Sequence, residues 1–180
     1  MNDSYARVIT PATIQIERAL PGPIERVWAY LTEPEKRSRW FAGGQMELRS
    51  DGRVALRFNN SALTGHDGVP PVKYAAQAGP TTLNGTITAC EPQHLLAYTF
   101  GEGDDASHVR FELGEAGDEV ILRIVHSRLR DRDEMLSVAG GWHTHVDILA
   151  DRLNGRSPAG FWPTHTRLEA EYDQRLPPWP

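Results

Sequence analysis

The stretch DRDEMLSVAGGWHTHVDILADRLNG, residues 131–155, reads as one long helix. Met135, Val138, Trp142, Val146, Leu149 and Leu153 recur at intervals of three and four and so share one stripe. Asp131, Asp133 and Glu134 put negative charge where the first backbone N–H groups lack partners, and Asn154-Gly155 supplies a stop. Gly140 and Gly141 cost about 1 kcal/mol each relative to alanine, which predicts close packing or a bend there. A helix this long with one apolar stripe needs a broad apolar partner, and the residues upstream supply it.

Working back along the chain, EVILRIVH, HVRFEL, HLLAYTF, GTITACEP, RVALRFN and TIQIERAL each alternate or run apolar over strand lengths. Glu91-Pro92, Gly101-x-Gly103 and Gly114 to Asp118 mark tight connections, so neighbouring strands pair antiparallel as a meander. After the first strand, PGP at 21–23 leads into a short helix carrying Ile24, Val27, Trp28 and Leu31. Thr32-x-x-Glu35 matches a capping box, predicting a second short helix that runs to about Trp40 and ends before Gly43-Gly44. Residues 60–83 hold prolines and glycines with no sustained period, an insertion that acts as a lid or stays mobile. Beyond 155 a tail contains a helix around 164–175, supported by the Arg167–Glu171 and Glu171–Arg175 spacings.

The expected fold class is α+β: a helix-grip arrangement in which a curved antiparallel sheet of about six to seven strands wraps a long C-terminal helix, with two short helices after the first strand. Residues 1–155 form the domain and 156–180 the tail. With 180 residues, one domain has room for a full core. A formal charge of −5, with KRSR at 36–39 as the densest basic run, argues against nucleic acid and anionic membrane as partners. Cys90 is the single cysteine, excluding an internal disulfide and a Cys-rich zinc site. It reads as a small buried residue rather than a nucleophile. No signal-peptide pattern and no 18-residue apolar run occur, so the expected location is cytoplasmic and Asn2, Asn59 and Asn84 carry no glycan.

Taken together, PGPIERVWAYLTEPEKRSRWF, GTITACEPQHLLAYTF, VRFELGEAGDEVILRIVHSRL and AGGWHTHVDILADRLNG resemble the START-like (SRPBCC) superfamily. Within it they are similar to the C-terminal domain of the activator of Hsp90 ATPase, the AHSA1-like family. The resemblance implies a helix-grip fold whose relatives bind lipids, sterols, polyketides or hormones in a cavity between sheet and helix, with cyclases among the enzymatic members. It also implies an Hsp90-type chaperone as a partner and a role in stress response. No nucleotide-binding loop is present, since GEGDD after Phe100 lacks the third glycine.

The His-x-His pair at 143 and 145 invites a metal, but on a helix the two imidazoles diverge by about 200° and cannot share an ion. His145 then borders the face that grips the sheet, and His143 points to solvent with Asp147. In the strand VILRIVHS, His126 shares a face with Val120, Leu122 and Ile124 and points to the same cavity. His108 is out of phase with Val109 and Phe111 and faces water. Arg57 and Arg123 are mid-strand charges expected to pair across the solvent face.

No Ser-His-Asp, Cys-His or paired-carboxylate arrangement stands out, so no catalytic residue, metal or cofactor is assigned. The expected function is noncatalytic binding of a small hydrophobic molecule. Trp40, Phe58, Tyr98, Phe111, His126, Trp142 and His145 are the candidate cavity residues. The alternatives are an Hsp90 co-chaperone-like protein, and a cyclase- or hydrolase-type enzyme using a cavity histidine as acid or base. The tail aromatics Phe161, Trp162, Tyr172 and Trp179 would pack on the domain or on a second subunit, giving a homodimer in the latter case.

Overall fold

In a computed structural model, which describes residues 4–180, the seven strands form one antiparallel sheet. The strands are β1 (Arg7–Thr10), β2 (Thr13–Pro21), β3 (Arg53–Phe58), β4 (Thr81–Glu91), β5 (Leu95–Phe100), β6 (Ser107–Ala116) and β7 (Glu119–Ser127). Their order is β1-β2-β7-β6-β5-β4-β3, so the meander from β3 to β7 is closed on its last edge by the strand that began the chain. β1 is a short outermost strand that the alternation does not reveal, because Pro11 interrupts the pattern four residues in.

The register lines up one inward row across five strands: Ile14 faces His126, His126 faces Val109, Val109 faces Tyr98 and Tyr98 faces Ile87. All five are buried, so a single histidine interrupts an otherwise apolar row plus one tyrosine. On the other face Arg123 pairs with Glu17 at 2.7 Å and Glu112 at 3.2 Å, the cross-strand pairing expected of it. Arg57 is exposed, and no ion pair involves it among the described residues.

The long helix α4 runs Arg132–Leu153. Asp131 caps it by accepting from the Glu134 N–H at 2.8 Å, and the Glu134 carboxylate accepts from the Arg130 N–H at 2.7 Å. A methyl at Gly140 would meet only ordinary contacts of 3.5–3.6 Å with Glu169, and one at Gly141 would meet nothing. Neither glycine is therefore demanded by helix packing.

Before the meander, α1 spans Ile24–Thr32 and α2 is a single turn, Pro34–Arg37. The expected capping box does not form. Thr32 is the last residue of α1 and its hydroxyl donates to the Trp28 carbonyl at 2.9 Å, while Glu33 takes the cap position without a side-chain bond. The helix also stops before Trp40, because the buried Arg37 guanidinium donates to the carbonyls of Thr32, Ala42, Gly43 and Gly44 and pulls the chain back over the turn.

Two segments outside the grip complete the core. The insertion between β3 and β4 ends at Pro80 and carries short helical turns, including α3 (Ala75–Ala78). The tail forms α5, Phe161–Arg175, three residues longer at its start than the charge spacing predicts. Phe161, Trp162, Leu168 and Tyr172 are buried in the same core as α4, so these aromatics pack on their own chain. The insertion and tail are fastened together at Asp67. Its carboxylate accepts from Thr64 N–H, Gly65 N–H and Phe161 N–H, and its carbonyl from Trp162 N–H. Burial raises the Asp67 pKa, but these hydrogen bonds outweigh it and hold the carboxyl below its ordinary value. Gly160 is required at this joint, since a Cβ there would stand 2.3 Å from the His66 carbonyl oxygen.

Among the described residues, no helix is long and apolar enough to cross a membrane.

Candidate functional site

A cavity of about 460 Å³ opens where α4 and the sheet diverge, within the roughly 300–1,000 Å³ usual for small-molecule sites. The sheet contributes Phe58, Leu83, Phe100 and His126, and the turn after α2 contributes Phe41. From α4 come Ser137, Val138, Gly141, Trp142 and His145. The insertion adds Asn60 and Tyr74, and α5 adds Phe161, Trp162 and His165. No aspartate, glutamate, lysine or arginine lines it.

Of the residues anticipated from sequence, Phe58, His126, Trp142 and His145 line the cavity. Trp40, Tyr98 and Phe111 do not. Trp40 is fully buried behind Phe41 at 5.4 Å between ring centres, its indole N–H donating to the Tyr30 carbonyl at 2.8 Å. Tyr98 packs on Phe111 at 5.6 Å, and Phe111 supports the Trp142 ring edge-on at 5.4 Å. Periodicity places these three on the inward face but cannot tell core from cavity wall. The contributions of the insertion and α5 were missed, because no local pattern signals which wall a distant segment will cover.

The histidines are organised around Trp142. Its indole N–H donates to His126 Nδ1 at 2.9 Å, so the neutral ring carries its proton on Nε2, which donates to Ser107 Oγ at 2.8 Å. Both nitrogens of His126 are therefore engaged. His145 lies on the other side of Trp142, with ring centres 6.4 Å apart, and its Nδ1 stands 2.7 Å from the Trp40 carbonyl oxygen. A carbonyl only accepts, so Nδ1 bears the proton and Nε2 is an acceptor with no protein partner among the described residues. Burial pushes the pKa of His126 down to about 3 and that of His145 to about 4, leaving both uncharged at neutral pH. Burial also lowers His165, against the opposing pull of Glu169.

His143 requires a correction: it is buried, not turned to solvent. The reason is α5, which lies across that side of α4 and presents Tyr172. The tyrosine oxygen accepts from Ala6 N–H at 2.7 Å, and with the His143 proton on Nε2 towards Asp147 its own proton goes to His143 Nδ1 at 2.9 Å. His143 Nε2 then faces Asp147 at 3.6 Å. The two histidines of the pair thus serve opposite faces of α4, and no group of three or more metal-binding side chains occurs among the described residues. His108 sits on the outer side of the sheet, half-buried, with Nε2 2.7 Å from Thr88 Oγ1.

Comparison with known proteins supplies the lineage. The pattern of the family described as Activator of Hsp90 ATPase homolog 1-like protein matches residues 21–154. The chain belongs to this family. A Bordetella parapertussis protein of this kind of structure, encoded by gene BPP1335, is 44% identical, with 97% of this chain and 92% of that one covered and a TM-score of 0.80. CalU16 from Micromonospora echinospora is 25% identical over 96% of this chain and 91% of its own, with a TM-score of 0.64. DynU16, a putative protein in the dynemicin biosynthetic locus, shares the fold at 19% identity and a TM-score of 0.63, over 85% of this chain and 51% of its own. No curated protein matches. For this member of the Hsp90-activator-like family, the helix-grip fold holds with its cavity walled in part by segments outside the grip.

Proposed function

We propose that this chain is a noncatalytic binder of a small hydrophobic molecule held between the sheet, α4 and α5. The observation that carries the reading is the cavity itself: Phe41, Phe58, Tyr74, Phe100, Trp142, Phe161 and Trp162 stand on its walls and no charged side chain does. His126 is a poor acid or base, since both nitrogens are engaged and burial keeps it neutral. His145 is the polar contact.

The test uses the neutral fluorophore N-phenylnaphthylamine and a variant that fills the space. Gly141 lines the cavity and a side chain added there meets nothing within 4 Å, so Gly141→Leu should fold and occupy the void. The expected result is saturable binding to the native protein at one site, lost in Gly141→Leu without loss of thermal stability. No binding, or binding indifferent to Gly141→Leu, refutes the reading.

The family's description favours a second reading, interaction with an Hsp90-type chaperone. It predicts capture of a bacterial-type Hsp90 and a changed rate of ATP hydrolysis; an unchanged rate together with no capture removes it.

A further inference from the structure

The polar atoms of the cavity walls are sorted by type. The aromatic and imidazole donors are engaged within the protein: Trp142 N–H on His126, His126 N–H on Ser107, Trp162 N–H on Ser61 at 2.9 Å, and Tyr74 O–H on Glu169 at 3.0 Å. His145 and His165 likewise use one nitrogen each as donor, towards the carbonyls of Trp40 and Ser137. Apart from the Asn60 amide N–H groups, what is left over away from the rim is acceptors.

His145 Nε2 has no protein partner, yet it is absent from the sealed-off polar atoms and so stays open to a small molecule. Asn60 Oδ1 and His165 Nδ1 are buried without any partner, in side chains that also line the cavity. Glu169 Oε2 lies 3.7 Å from His165 Nδ1, too far for a hydrogen bond and itself an acceptor. The hydroxyls of Thr81 and Thr82 and the amide of Gln77 stand at the outer rim, where they are half or fully exposed.

We infer that the cavity selects an uncharged aromatic ligand that carries a hydroxyl donor, and that this donor bonds His145 Nε2. The inference rests on the cavity-binding reading and narrows it to a chemical class. An unpaired buried acceptor is costly, so a ligand that brings a donor gains the bond and one that brings a carbonyl or ether does not. A carboxylate would face several acceptors with no cation on the walls, and would have to leave water without compensation. A hydroxyl fits both conditions, because it is neutral and donates along one direction.

The experiment compares hydroxyanthracene, methoxyanthracene and anthracene carboxylate, substituted at the same ring position, by fluorescence titration of the native protein. The hydroxyl compound should bind about tenfold more tightly than the methyl ether, the expected worth of one hydrogen bond to an otherwise unpaired acceptor. The carboxylate should bind weakest. His145→Phe should abolish the preference while retaining the ether. The nitrogen resonance of His145 Nε2 should shift on adding the hydroxyl compound and not the ether, a readout that needs no variant. Equal binding of hydroxyl and ether, tightest binding by the carboxylate, or a preference unchanged in His145→Phe overturns the inference and leaves cavity binding intact. If none of the three binds while N-phenylnaphthylamine does, the inference alone falls; if that probe also fails, cavity binding falls with it.

Discussion

Acid should unfold this protein early, and the reason lies in its interior. His126, His143 and His145 are buried and uncharged, with pKa values pushed down by burial to about 3, 4 and 4. In the unfolded chain each takes up a proton near its ordinary value of about 6.5. A depressed histidine therefore contributes stability that is complete above pH 6.5 and is lost as the pH falls from there towards 4. Between pH 6 and pH 5 the unfolded form holds on average nearly one proton more than the folded form at each site, which lowers stability by about 1.2 kcal/mol per histidine. Together the three remove about 3.5 kcal/mol in that one pH unit, a large share of the ~5–15 kcal/mol that holds a typical domain folded. Asp147, whose carboxyl burial raises, works in the opposite sense and trims the loss. Urea unfolding followed by tryptophan fluorescence at pH 7, 6, 5.5 and 5 measures the slope directly. A loss below about 1 kcal/mol between pH 6 and pH 5 would show that these imidazoles reach water in the folded state, and the argument would fail.

Two further perturbations probe the joints that complete the cavity. Tyr172→Phe removes the hydroxyl that accepts from Ala6 and donates to His143, leaving buried groups unpaired, and should cost about 1–3 kcal/mol in chemical denaturation; a neutral effect would mean water replaces the hydroxyl. Asp67→Ala frees the N–H groups of Thr64, Gly65 and Phe161 at once, so limited proteolysis should cut within residues 59–80 several-fold faster while cleavage elsewhere stays unchanged.

Strands β2 to β7, the long helix and their α+β arrangement were legible because each carries its own period. The inward phase of β7 places His126 correctly, and the stripe of α4 places Trp142 and His145 correctly, for the same reason. What local pattern could not show was the effect of one segment on another. His143 looks solvent-facing on α4 alone, and it is buried only because Tyr172, 29 residues on, lies over it. Thr32 fits a capping box by spacing, yet Arg37 reorganises the turn through carbonyls that the pattern does not mention. Asn60 and His165 come to the cavity from an insertion and a tail that are fastened to each other at the carboxylate of Asp67. That joint involves no period at all.

The position of α5 bears on how far kinship predicts chemistry here. The residues matched to the family end at 154, while Phe161, Trp162 and His165 begin after that boundary and form one wall of the void. The wall thus lies outside the segment that defines the family match. Substitutions at Phe161, Trp162 or His165 would reshape the void from outside the matched segment.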